Sequence, residues 1–164
     1  MKKHFNGYIK SNIDLPSTVG NLVTNKSFDL VYKFFLDAIN NRHSFFYDQL
    51  LKLLPPELQS RPFHTELMLS LREGPQDIDQ EGIWHDDGSR DLIFSLSLSQ
   101  ESEIIVGGEL FLRRKSNKEA VIKVKPAPFG TIFLFNTGKR GWEHKVSRVT
   151  IGNRLVLVGW LTIM

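Results

Sequence analysis

The chain has 164 residues, of which 41% are hydrophobic and 24% charged, a composition typical of one globular domain and not of a disordered segment. It contains no cysteine, which excludes disulfides, thiolate metal sites and thiol nucleophiles, so a metal must bind His, Asp, Glu or neutral oxygen. The net charge of +3 is too small to indicate a nucleic-acid-binding protein. The N-terminus lacks the apolar core of a secretory signal, and the longest nearly apolar stretch, residues 155–164, is too short to cross a bilayer. We therefore expect a cytoplasmic protein with no membrane partner.

The first 60 residues are predicted to form a helical support region. Ser27 can cap a helix, because apolar residues recur after it at helical spacing. The positions on this stripe are Leu30, Val31, Phe34, Phe35, Ala38 and Ile39. A second helix carries Phe45, Phe46, Leu50, Leu51 and Leu54. It is expected to end at Pro55-Pro56, because proline lacks an amide donor and clashes with the preceding turn.

From residue 63 onward the hydrophobic pattern changes to a period of two, which predicts strands. The predicted strands are residues 63–71, 92–99, 109–113, 121–125, 131–135, 145–150 and 155–161. Turn residues separate several of them: Gly107-Gly108, Ser116-Asn117 and Gly152-Asn153. Many short strands at regular spacing predict a sandwich or jelly roll. The fold class is therefore mainly β with flanking N-terminal helices, in a single domain of residues 1–164 whose jelly-roll core is residues 61–164.

His85-Asp86-Asp87 is the first candidate metal-binding motif. Residues i and i+2 of an extended chain point to the same side, so His85 and Asp87 can reach one ion together. An imidazole and a carboxylate suit a borderline divalent metal. The motif is weak alone, because one His-x-acid match is expected by chance in roughly half of such chains. His64-Thr65-Glu66 matches equally well, and its residues are expected on the polar side of their strand.

The residues downstream strengthen the first motif. His144 is the next histidine, and Arg154 follows it by ten residues. Arg154 shares a strand face with Val156, Val158 and Trp160, and a guanidinium on an apolar face is costly unless an anion meets it. Two histidines and one aspartate would occupy one side of a metal and leave the other positions open. Arg154 could then hold the far carboxylate of a dicarboxylate chelator.

The order His85-x-Asp87, His144, Arg154 resembles the iron(II)- and 2-oxoglutarate-dependent oxygenase superfamily, particularly its prolyl-hydroxylase-like branch. Three further segments are similar to parts of that family: residues 107–110, 126–135 and 143–161. Residues 73–84 include Gln76, Asp77, Asp79, Gln80 and Glu81, and no tyrosine of the kind often found here in the prolyl-hydroxylase branch.

The resemblance implies a double-stranded β-helix with iron(II) bound by His85, Asp87 and His144, and 2-oxoglutarate bound through Arg154. It further implies dioxygen as the oxidant, ascorbate as a compatible reductant, and hydroxylation of an unidentified protein side chain or small molecule, with release of succinate and CO2.

Two other features could contact a partner. Residues 113–125 predict a basic hairpin, either a solvated edge that resists aggregation or a surface for an anionic partner. Arg140 and Trp142 precede His144 in a predicted loop and are the candidate substrate contacts. Trp142 could act as a lid or stacking surface, or could pin the loop to the domain. Trp84 alternates away from His85 and is expected to pack.

Two alternative functions remain open from the sequence. The basic hairpin and Trp142 motivate an oxidative nucleic-acid dealkylase, although the modest charge argues against it. A fold does not guarantee an activity, so the second alternative is a non-catalytic barrel that binds metal and 2-oxoglutarate.

Overall fold

The computed structural model describes residues 5–77 and 82–164. The described helices are α1 (Ser17–Thr24), α2 (Phe28–Ile39) and α3 (Phe45–Leu53). The strands are β1 (Tyr8–Asn12), β2 (Phe63–Glu73), β3 (Leu92–Ser97), β4 (Val106–Gly107), β5 (Leu110–Arg114), β6 (Asn117–Val124), β7 (Thr131–Asn136), β8 (Trp142–Val146), β9 (Val149–Ile151) and β10 (Asn153–Ile163). Short 3-10 turns occur at Pro56–Leu58, Ser102–Ile104 and Gly138–Arg140.

The strands form a major sheet and a smaller sheet that face each other. The major sheet has five antiparallel strands in the order β1-β7-β3-β10-β2. The smaller sheet has the order β6-β5-β8, and a two-stranded ladder pairs β4 with β9. Two antiparallel sheets with their inner faces together are the jelly-roll architecture that the strand spacing predicts.

Both faces of the major sheet are covered, because alternate residues along each strand point to opposite sides. Residues such as Phe94, Leu134 and Leu157 pack with the three helices in one core cluster. Residues such as Ile93, Phe135 and Trp160 pack on the other side, against the smaller sheet. The helices therefore support the sheet from behind and leave its inner face for the site.

The two predicted helices are confirmed with nearly the predicted bounds. α2 begins directly after Ser27, although the Ser27 side chain makes no capping hydrogen bond. The cap that does form is at α3, where the Ser44 hydroxyl accepts from the Tyr47 amide at 3.0 Å. Within the described ranges, no helix is long and apolar enough to cross a membrane.

Two details of the predicted layout are wrong. The first 60 residues are not all helical, because β1 (Tyr8–Asn12) pairs with β7 as an edge strand of the major sheet. The side chains of β1 are half-exposed and show little hydrophobic alternation, so pairing with β7 determines that this segment is a strand. The strand predicted at 145–150 is divided between β8 and β9, where the Ser147 amide and hydroxyl both bond to Glu109.

Candidate metal centre

A cavity of about 180 Å³ lies between the inner faces of the two sheets. Its walls are largely apolar, with Ile93, Phe135 and Val158 among them. His85, Asp87 and His144 line it, and so does Arg154. The structure thus brings the four residues singled out by the sequence around one cavity.

The two histidines are held together by their backbones. His85 and His144 form an isolated antiparallel bridge, with N–H to carbonyl distances of 3.0 and 2.9 Å in the two directions. Their ring centroids are 4.4 Å apart, and the edge of Phe135 packs against the His144 ring. The half-exposed His85 side chain lies on the open side of the cavity, whereas His144 is buried.

The Asp87 carboxylate lies close to both imidazoles. Its Oδ1 is 4.0 Å from His85 Nε2, and its Oδ2 is 3.5 Å from His144 Nε2. The buried Thr137 hydroxyl accepts a hydrogen bond from the Asp87 amide at 3.2 Å and lies 3.5 Å from Asp87 Oδ2. Thr137 therefore orients the carboxylate, a role that the sequence alone did not indicate.

The three side chains fit a metal ion. One ligand atom from each lies within 4.8 Å of the other two, and among the described residues this is the one such group of three or more. Two donors on one ion can be separated by up to about 4.2 Å when each metal bond is about 2.1 Å long, and the distances of 4.0 and 3.5 Å from Asp87 to the two imidazoles fall below this limit. His85 Nδ1 lies 2.8 Å from the Ile83 carbonyl, which can only accept, so Nδ1 carries the proton and Nε2 is free to ligate.

The His144 imidazole is kept neutral. Burial lowers the pKa of His144 from 6.5 to about 4, an effect that the Asp87 charge opposes and His85 reinforces. A neutral imidazole has a lone pair for a metal at physiological pH, so no proton has to leave before binding.

Arg154 places a buried positive charge at the cavity. It is 7% exposed, and within the described part of the chain it makes no ion pair with a carboxylate. Burial, reinforced by Arg72 and opposed by Asp77, lowers the pKa of Arg154 to about 10, so it stays charged at neutral pH. Gly108 leaves room for the Arg154 side chain, because a Cβ at position 108 would lie only 2.7 Å from Arg154 Cδ. A buried guanidinium of this kind favours an anionic ligand.

Arg72 is a cavity residue that the sequence analysis did not identify. It lies opposite Arg154 in the pairing of β2 with β10, and it also lines the cavity. A polar residue on a strand next to a turn carries no distinctive signal, so only the register reveals this pair. Asp77 is buried and accepts from the Val149 amide. Asp79, Gln80 and Glu81 lie outside the described residues.

The candidate substrate residues do not line the cavity. Trp142 is 5% exposed, lies in β8 and packs over Gly7, so the structure favours the interpretation in which it pins its segment. The loop expected here is a strand because residues 142–146 pair with β5. Arg140 ends the 3-10 turn Gly138–Arg140 and is half-buried outside the cavity.

The competing His-x-acid motif lies away from the cavity. His64 is exposed, and Glu66 forms a two-point ion pair with Arg90 at 2.6 and 3.1 Å. The structure therefore separates the two motifs that the sequence left equivalent in isolation.

The basic hairpin is confirmed as β5 and β6, with β6 at the sheet edge. Several of its cations are paired within the domain, in the ion pairs Arg113–Glu143, Lys115–Asp86 and Lys123–Glu109. These pairs support the interpretation of a solvated edge.

A jelly roll with two histidines and one aspartate at a cavity is the arrangement of non-haem iron oxygenases. The sequence profile of the 2OG-Fe(II) oxygenase superfamily matches residues 76–162, more than half of the chain. The chain belongs to this superfamily. No curated protein sequence matches it.

Solved structures share the fold at low sequence identity. A Trichoplax adhaerens prolyl hydroxylase, solved with a hypoxia inducible factor peptide, aligns with TM-score 0.63 and 16% identity over 96% of this chain and 84% of its own. A Pseudomonas putida prolyl-4-hydroxylase aligns with TM-score 0.63 and 17% identity over 96% of this chain and 86% of its own. The alpha ketoglutarate dependent epimerase SnoN of nogalamycin biosynthesis aligns with TM-score 0.61 and 13% identity over 94% of this chain and 77% of its own. The predicted fold class and superfamily are confirmed.

Proposed function

We propose that this enzyme binds iron(II) through His85, Asp87 and His144 and 2-oxoglutarate through Arg154, and hydroxylates a protein side chain or a small molecule. One observation carries the proposal: a three-residue donor set and a buried arginine without an ion pair, among the described residues, line the same cavity.

Bound iron(II) and 2-oxoglutarate would supply oxidative decarboxylation to succinate and CO2, coupled to hydroxylation with dioxygen as oxidant. The chain's own residues hold and orient the reactants. Arg154 would bind the carboxylate remote from the metal, with Arg72 adding positive charge beside it. Apolar walls such as Phe135, Val156 and Val158 exclude water, which strengthens each charged contact.

The size of the cavity supports the substrate class. At about 180 Å³ it is below the roughly 300 Å³ at which pockets for drug-sized ligands begin. With a dicarboxylate inside, the remaining space suits a single side chain or one end of a small molecule. The relatives agree with both options, since prolyl hydroxylases and a natural-product epimerase share the fold.

The test is succinate formation from 2-oxoglutarate with iron(II) and ascorbate present. We expect His85→Ala or Asp87→Ala to abolish it, and Arg154→Ala to weaken 2-oxoglutarate binding. His64→Ala, in the motif outside the cavity, is the matched control and should retain wild-type turnover. Normal turnover in His85→Ala would refute the metal site, and an unchanged 2-oxoglutarate affinity in Arg154→Ala would remove Arg154 from its role.

A second assay separates the substrate options. Peptides and small molecules are incubated with the enzyme, and mass spectrometry detects the gain of one oxygen atom. Oxygen gain in either class, with matching succinate, supports hydroxylation. Tight metal and 2-oxoglutarate binding without any decarboxylation would instead favour a non-catalytic barrel.

A further inference from the structure

Two residues that directly precede the histidine ligands lie together on the outside of the smaller sheet. Trp84 precedes His85, Glu143 precedes His144, and neither lines the cavity. Arg113 contacts both of them. Its guanidinium carbon is 3.8 Å from the centre of the Trp84 ring, and its Nε donates to Glu143 Oε1 at 2.6 Å.

Arg113 is well placed to join the two chain segments. It is the register partner of Glu143 in the pairing of β5 with β8, next to the Leu112–His144 pair. The Arg113 and Glu143 side chains are only 16% and 13% exposed, so water weakens their charge-assisted hydrogen bond little. The Trp84 ring also lies near Lys145, whose Nζ is 5.1 Å from the ring centre.

After His85 the chain is held by the Lys115–Asp86 ion pair and by the bond from the Asp87 amide to Thr137, whereas the described residues just before His85 have few attachments. His85 belongs to an isolated bridge and not to a strand, and the Gly82 amide makes one further bond to the Val146 carbonyl at 3.0 Å. Between these points Trp84 is the side chain that holds the segment against the sheet. A cation over an indole face is attractive, and it fixes the ring in one orientation.

We propose that Arg113 is a positioning residue for the metal centre: by holding Trp84 and Glu143 together, it fixes His85 relative to His144. This inference rests on the proposed metal site. Because successive side chains of an extended chain alternate, clamping residue 84 outside sets the direction of residue 85 inside. Groups that hydrogen-bond to metal ligands typically change metal affinity 10-fold to 100-fold when lost, and Arg113 acts one residue further out, so we expect an effect at the lower end of that range.

The test uses metal-free protein titrated with Mn(II), whose binding is followed by the loss of the free-ion electron paramagnetic resonance signal. We expect Arg113→Met to weaken Mn(II) binding about tenfold. Arg113→Lys keeps a cation near Trp84 but loses the forked guanidinium. The Mn(II) affinity of this variant should therefore lie between that of Arg113→Met and that of the wild type. Lys123→Met is the matched control, because Lys123 lies over Phe111 on the same sheet and has no contact with Trp84 or Glu143. Its affinity should stay within twofold of wild type.

Hydrogen exchange of the metal-free protein gives a second readout that needs no metal. We expect the His85 and His144 amides to exchange about tenfold faster in Arg113→Met, with β3 and β10 amides unchanged. A folded Arg113→Met protein with wild-type affinity and exchange would overturn the inference. If wild type binds no Mn(II), the proposed metal site fails while the exchange result still decides the role of Arg113. If Arg113→Met does not fold, Arg113→Lys and Glu143→Gln decide it by the same two measurements.

Discussion

His85 and His144 are direct neighbours across an antiparallel bridge, and each amide donates to the carbonyl of the other. The backbone therefore sets the separation of the two imidazoles, and the bond from His85 Nδ1 to Ile83 sets the direction of one of them. Asp87 follows two residues after His85, where the extended chain returns its side chain to the same side. Main-chain geometry therefore brings the three donor side chains to one side of the cavity.

Metal removal should leave the domain folded, because the two core clusters do not depend on the three metal-binding side chains. We expect protein treated with a chelator to retain its circular dichroism spectrum and to unfold cooperatively. Adding Mn(II) at 100 times its dissociation constant should raise the free energy of unfolding by about 2.7 kcal/mol. A chelated protein that loses cooperative unfolding would show instead that the metal organises the fold.

Thr137→Val should weaken metal binding about tenfold. Valine fills the same space, but the Asp87 amide loses its acceptor at 3.2 Å and the carboxylate loses the hydroxyl near Oδ2. The measurement is Mn(II) titration of the metal-free variant. Thr137→Ser keeps the hydroxyl and should bind nearly as wild type does. Equal affinity in the valine variant would mean that Asp87 needs no orientation by residue 137.

The free energy of unfolding of the metal-free protein should fall as the pH is lowered from about 6.5 to about 4. The pKa of His144 is lowered to about 4 by burial, so in this window the unfolded chain takes up a proton that the folded protein does not. The loss should reach roughly 3 kcal/mol, at 1.36 kcal/mol for each pH unit. Glu66, Asp86 and Glu109, whose pKa values are lowered from 4.5 or 3.8, add to the loss mainly below about pH 5.

The pH effect is measured by urea unfolding at several pH values. His144→Gln should remove most of the slope between pH 6.5 and 4, whereas His43→Gln, at an exposed histidine outside the cavity, should keep it. An identical slope in wild type and His144→Gln would show that His144 is not the group responsible.

Arg154→Met should separate stability from function. Arg154 is buried and Arg72 adds like charge, so a methionine of similar length should raise the free energy of unfolding of the ligand-free protein by about 1 kcal/mol. The same change should weaken 2-oxoglutarate binding about 100-fold, since losing one partner of a buried charge pair costs about 3 kcal/mol. Urea unfolding of the ligand-free protein measures the first quantity, and titration calorimetry on Mn(II)-loaded protein measures the second. Arg148→Met, at an exposed arginine, should change neither.

Much of the fold followed from the sequence because hydrophobic periodicity reports which side of an element is buried. The period of 3.6 over Leu30 to Ile39 predicted α2, the period of two over Phe63 to Leu71 predicted β2, and the apolar run of residues 155–161 predicted β10. β1 was not predicted, because this edge strand forms by pairing with β7 and its own sequence shows little hydrophobic alternation. α1 (Ser17–Thr24) was not predicted, because a helix of two turns with only Val19 and Val23 buried is too short to show a helical hydrophobic period.

The part of the candidate site that depends on the spacing of residues along the chain could be predicted. The two-residue spacing from His85 to Asp87 and the ten residues from His144 to Arg154 are visible in sequence. Thr137 and Arg72 reach the site only through strand register and side-chain contact, which no local pattern encodes. Trp142 was ambiguous because a buried tryptophan and a lid tryptophan look alike until its neighbour Gly7 is placed.

Gly108→Ala should impair 2-oxoglutarate binding through Arg154. Gly108 has φ +68, and a Cβ would lie 2.7 Å from Arg154 Cδ and 3.0 Å from Val149 Cγ2, so the arginine side chain must move. Gly141→Ala is the matched control, because it has φ +75 and no atom within 4 Å of its Cβ position. Both alanines should cost about 1 kcal/mol of stability, since L residues disfavour the left-handed region. Only Gly108→Ala should weaken 2-oxoglutarate binding to Mn(II)-loaded protein, by about tenfold or more. Equal affinities in the two variants would mean that Gly108 serves the backbone turn alone and that Arg154 tolerates displacement.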